Sequence, residues 1–140
     1  MKLPMIKPGK SLVSGVFAAL FLFACAGAKA EPLDFSDMDL RFVDAREDAG
    51  YYVDMNSVDI KNMSEASARV EIVRIDAKKI YLYHIEFNRK LRTYRIMDSV
   101  SADYDTKEIL GGSSVPLKAQ TYAKGSAMEA VAGYLYSPQQ

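Results

Sequence analysis

The chain has 140 residues with 18 basic and 18 acidic side chains, one histidine, one cysteine and no tryptophan. That length suits one domain with one core, and without a block of like charge there is no electrostatic ground for a nucleic-acid partner. The lone Cys25 excludes an internal disulfide framework and a thiolate metal cluster.

In chain order, Lys2, Lys7 and Lys10 precede an uncharged apolar run over residues 12–27, and Ala28-Lys29-Ala30 follows as a small-x-small cut site. This is the pattern of an export signal over residues 1–30. The run is shorter than the roughly 20 residues that a membrane-crossing helix needs. Two cuts are available. Leu22-Phe23-Ala24-Cys25 reads as a lipobox that would acylate Cys25 and tie the protein to a membrane. The cut after Ala30, with Glu31 and Pro32 beyond it, fits better and frees the domain. Either route predicts an exported protein, periplasmic, secreted or at the cell surface, with membrane contact only through Cys25. Removing residues 1–30 leaves 14 basic against 18 acidic side chains, a net charge of −4, and no cysteine.

Residues 31–39, EPLDFSDMD, read as a loosely ordered acidic tether, and residues 40–137 as the domain. Six runs then carry strand-like spacing: LRFVDA, YYVDMNSV, ARVEIVRI, KIYLYHIEFN, LRTYRIMDSV and DYDTKEIL. In YLYHIEF, Tyr81, Tyr83, Ile85 and Phe87 share one strand face, while Leu82, His84 and Glu86 share the other. Asn88, Arg89 and Lys90 form a polar break suited to a hairpin. ARVEIVRI alternates less cleanly, which predicts a bulge or burial on both faces. After the expected loop GGSSVPLK the period changes. Gly125 marks a break, Ser126 and Glu129 have the S-x-x-E form of a capping box, and an apolar stripe over Ala127–Leu135 predicts one helix of about eleven residues. The fold class expected is α+β: a small antiparallel meander of about six strands with one carboxy-terminal helix packed on it.

Chemistry-bearing constellations are sparse. His84 has no partner for a triad or a metal cluster within the sequence pattern, and stands as a candidate ligand only if it faces a pocket, as a haem or small-ligand carrier would require. Asp103-Tyr104-Asp105 lacks the glycine and spaced ligands of a calcium loop and reads as a solvated turn. Asp44, Glu47, Asp48 and Asp54 surround a glycine turn and read as a polar hairpin rather than paired catalytic carboxylates. No catalytic, metal or cofactor set emerges, so the expectation is a protein that is not an enzyme. Arg89, Lys90, Arg92 and Arg95 place four cations within seven residues and form the candidate spot for an acidic protein partner.

The order GYYVDMNSV, a V-x-I-V strand, YHIEFNRKLRTYRI, YDTKEIL and YAKGSAMEAVAGYL resembles the surface-adhesin protein E-like family over about residues 40–136. The resemblance implies a small antiparallel sheet crossed by a carboxy-terminal helix, exported to the cell envelope, that binds host, matrix or envelope proteins. It also implies a departure: many members carry cysteines where Asn88 stands and near Tyr136, and both are absent here.

Overall fold

The computed structural model describes residues 31–137, so the expected export signal and the candidate lipidation site Cys25 lie outside the described residues. Strands β1 (Leu40–Arg46), β2 (Ala49–Ile60), β3 (Glu65–Arg74), β4 (Lys79–Asn88), β5 (Thr93–Asp103) and β6 (Ile109–Ser113) form an antiparallel meander in that order. A two-residue strand, β7 (Gln120–Thr121), pairs with the start of β5, and helix α1 (Ala127–Tyr136) ends the described fold. The fold class is therefore the expected one, an antiparallel sheet of six meander strands with one carboxy-terminal helix.

Alternation along the strands gives the sheet two different faces. On one, Val53, Ala68, Val70 and Ile85 are fully buried beneath Val131, Ala132 and Leu135 of α1. Ala66 and Ala68 lie under the helix, where small side chains let it approach the sheet closely. The helix begins as its sequence directs. Ser126 Oγ accepts the Glu129 N–H at 3.2 Å, while Glu129 Oε1 reaches back to the N–H of Gly125 at 2.6 Å. Gly125 itself has φ 79°, a left-handed conformation that a side chain disfavours.

The opposite face accounts for the uneven pattern of ARVEIVRI. β3 and β4 pair from Glu65↔Asn88 to Arg74↔Lys79 without a register shift, so burial on both faces, not a bulge, is the cause. Glu71 is 5% exposed on this outer face beside buried Ile80 and Leu82. On its other side β3 pairs regularly with β2 from Arg74 to Arg69, and the register shifts only beyond that, between Asp54 and Asp59 of β2; β4 and β5 shift between His84 and Ile85.

Three expectations need correction. Residues 31–39 are not a loose tether but are attached to the sheet. Pro32 bridges Glu108, the Leu33 N–H donates to Lys107 O at 2.7 Å, and the Met55 N–H donates to Asp39 O at 2.8 Å. Phe35 and Leu40 then cover outer-face apolar surface, which favours holding the segment down. DYDTKEIL is mostly a turn, because Asp103 Oδ1 accepts the N–H groups of Asp105 and Thr106, each at 2.8 Å, and Lys107 has φ 65°. The strand starts at Ile109 and takes in Gly111–Ser113, which had been read as loop. Asp54, grouped with the polar hairpin, is fully buried in β2. Its Oδ1 accepts the N–H groups of Asp39 at 2.9 Å and Asn56 at 3.1 Å.

Candidate functional site

The four candidate cations sit exposed around the β4–β5 turn, and three of them make contacts along the surface of the fold. The Arg89 guanidinium lies 4.1 Å from the centre of the Tyr136 ring. Arg92 donates to Glu129 Oε2 at 2.7 Å and stacks 5.1 Å over Tyr122. Arg95 Nε donates to Leu117 O at 2.8 Å. Lys90 is exposed at the tip of the turn. The Gly125 N–H, and after it the Arg92 side chain, hold the Glu129 carboxyl below the usual carboxylate range. Arg89 and Arg92 thus latch the central hairpin to the end and the start of α1, Arg95 fastens the segment before β7, and all four cations stay exposed.

His84 occupies the outer face in a lateral row. Register places Asp54 beside Arg69, Arg69 beside His84 and His84 beside Asp98, across four neighbouring strands. Asp54 Oδ2 lies 3.1 Å from the Arg69 guanidinium yet receives no hydrogen bond, so it has charge compensation without a well-aimed donor. His84 Nδ1 is 3.4 Å from Asp98 Oδ2. Ser57, Arg69, His84 and Asp98 line an open depression of about 280 Å³. Its polar lining offers no apolar slot for a flat macrocycle. Tyr81 and Tyr83 lie on the other sheet face, as the alternation required. Among the described residues no group of three or more His, Cys, Asp or Glu is placed to hold a metal ion.

A different surface emerges beside the helix. α1 crosses β1 and β2, and on β4 to β6 the same sheet face carries Tyr81, Tyr83, Ser99, Ser101 and Ser113. Pairing aligns Tyr83 with Ser99 and Ser113 in one row, and Tyr81 with Ser101 and Gly111 in the next. The two tyrosine rings stack with centroids 6.1 Å apart and an interplanar angle of 3°. They border a shallow concavity of about 320 Å³. Burial, and after it the nearby Tyr81, Tyr51 and Tyr94, raise the Tyr83 hydroxyl above the usual phenol value. Tyr81 and Tyr83 are half-buried, so each ring is held on one side and open on the other. The sequence marked these tyrosines as one strand face. It did not show that the helix stops short of them, because where a helix crosses a sheet depends on the register of all the strands.

No family model, curated protein or solved structure matches this chain. Among the described residues no helix is long and apolar enough to cross a membrane.

Proposed function

We propose that the chain is an exported binding module of the cell envelope, an adhesin-like domain that engages a host, matrix or envelope protein through the Tyr81–Tyr83–Ser99–Ser101–Ser113 surface. One observation carries this reading: a rigid sheet face beside α1 displays stacked tyrosines among serines and glycines. Tyrosine supplies large amphipathic contact area with only two side-chain torsions to fix, and serine and glycine add hydrogen bonding without bulk. Such a composition concentrates binding energy in a few aromatic anchors. The resemblance to the protein E-like family supports the same class, and so does the sparse catalytic chemistry of the sequence. Lys90 would sit outside this surface, on the β4–β5 turn.

The test is capture of partners by the purified protein from a panel of matrix proteins and from envelope extract. Tyr81→Ser combined with Tyr83→Ser should weaken capture about tenfold or more, since each lost anchor is worth roughly 1 to 2 kcal/mol. Lys90→Glu should leave capture within about twofold, as expected of a rim charge. Undiminished capture by the double variant, with a normal melt, would remove this surface from consideration.

A further inference from the structure

The outer face holds a cleft of about 350 Å³ on the side of the sheet away from α1 and the tyrosines. That volume falls within the range of small-molecule sites. Its walls include Phe35 from the amino-terminal segment, Tyr52 from β2, Val73 and Ile80 from β3 and β4, and Tyr104 from the β5–β6 turn. Gly50 lets the Tyr52 ring lie close to the strand, because a Cβ there would come within 3.3 Å of the ring. Into this mostly apolar space the fold places one carboxyl group, that of Glu71, whose residue is 5% exposed. Among the described residues no hydrogen bond reaches it. The carboxyl oxygens are not fully enclosed, so they open onto the cleft, where the low exposure of the residue disfavours a charge that no cation pairs with.

The groups around Glu71 narrow the chemistry. Lys107 also lines the cleft, but its ammonium donates to Tyr104 O and lies 4.8 Å over the Tyr104 ring. Its charge still acts on Glu71, but no hydrogen bond joins the two. Tyr52 and Tyr104 are the other ionisable groups lining the cleft, and Arg69, two residues along β3, pairs with Asp54. An anionic ligand would meet Glu71 with only Lys107, already bonded to the turn, to offset the repulsion. A neutral apolar ligand would fill the walls and leave the carboxyl unsatisfied in a drier site. A cation with an apolar body satisfies both, since its charge pairs with Glu71 while aromatic faces line the way in.

We infer that this cleft binds a small organic ammonium ion, an apolar body bearing one amine, whose ammonium group pairs with the Glu71 carboxylate. The site lies on the opposite face from the proposed protein-contact surface and does not depend on it. Burial raises the Glu71 carboxyl to about 7, with Lys107 opposing that shift. Ligand binding and loss of the Glu71 proton are therefore coupled.

Isothermal titration with phenethylammonium and n-hexylammonium, against 2-phenylethanol and 3-phenylpropionate as neutral and anionic counterparts, tests the assignment. At least one amine should bind, and its affinity should rise about tenfold from pH 6 to pH 8 as the carboxyl ionises. Near pH 6.5, titration in two buffers of different ionisation enthalpy should show proton release. Glu71→Gln, which keeps the shape and removes the charge, should weaken amine binding at pH 8 about tenfold and abolish the proton release. Failure of both amines to bind at millimolar concentration overturns the inference. So does tighter binding of 3-phenylpropionate, or equal amine binding by the folded Glu71→Gln protein.

Discussion

The cost of keeping Glu71 buried should be readable as a pH dependence of stability that a single substitution removes. The carboxyl is raised from an ordinary 4.5 to about 7 by burial, so the folded protein keeps a proton that the unfolded chain has already released. Stability from this group is then fully present below pH 4.5 and is lost as pH rises toward 7. A shift of that size corresponds to about 3 kcal/mol, a large part of the 5 to 15 kcal/mol that holds a typical domain together. Glu71→Gln places a neutral group of the same shape in the same position. Urea denaturation of both proteins at pH 5 and pH 8 should show the wild type losing roughly 2 to 2.5 kcal/mol more than the variant across that interval, because the unfolded carboxyl is already largely ionised at pH 5. Asp39 and Asp103 are held low, by the Arg41 side chain and the Thr106 N–H respectively, so they lose their contribution only in more acidic solution. They also cancel in the comparison. Parallel stability profiles for the two proteins would refute the burial argument.

The latch around the β4–β5 turn predicts that Arg92→Glu lowers the melting temperature, because it sets a negative charge against Glu129, while Lys90→Glu leaves the melt unchanged. Ser126→Ala should cost about 0.5 to 2 kcal/mol through the lost cap, measured by denaturant unfolding. Asp54→Ala leaves the N–H groups of Asp39 and Asn56 without their acceptor and should cost about 2 to 3 kcal/mol. Hydrogen exchange should then show faster exchange at Asp39, just before β1, and at Asn56 than at the other amides of β2. Leu135→Asp puts a charge against Val53 and Ile85 and should destabilise more than Ser126→Ala; an unchanged melt would mean that the helix does not dock there.

The strand pattern was legible because alternation is a local property. Tyr81, Tyr83, Ile85 and Phe87 could be assigned to one face from spacing alone, and the S-x-x-E cap marked the helix start within a residue. What stayed hidden was what lay across from each face. EPLDFSDMD reads as a solvated tether because its composition is acidic, yet Phe35 and Leu40 are drawn to apolar outer-face surface. Asp54 looked like a member of a polar hairpin, but its burial depends on Arg69 one strand away and on the folding back of Asp39. Glu71 was visible as a charge between Val70 and Ile72 within an apolar run. Only the cleft and its covering segment show that this charge has somewhere to face. The four cations are exposed, as their density in the sequence suggests, but the sequence did not show that Arg89, Arg92 and Arg95 also make contacts with the fold from the surface.

The attachment of α1 shows how the chain manages without a covalent staple. The described residues hold no cysteine, so no disulfide joins the sheet to the helix end. Here Asn88 Oδ1 accepts the Leu91 N–H at 2.9 Å and shapes the turn that carries Arg89 and Arg92. The Tyr136 ring lies beneath the Arg89 guanidinium, and its hydroxyl donates to Asn62 O at 3.1 Å. Arg92 meanwhile holds Glu129 at the other end of the helix. The two ends are therefore tied to the central hairpin by reversible contacts, and burial of Val131 and Leu135 between them supplies roughly 1.5 to 3 kcal/mol per side chain. A disulfide acts mainly by restricting the unfolded chain, whereas these contacts act only in the folded state. Helix docking in this protein should accordingly weaken with Arg89→Ala combined with Arg92→Ala and be indifferent to reductant, and a melt unchanged by the double variant would refute the reversible latch.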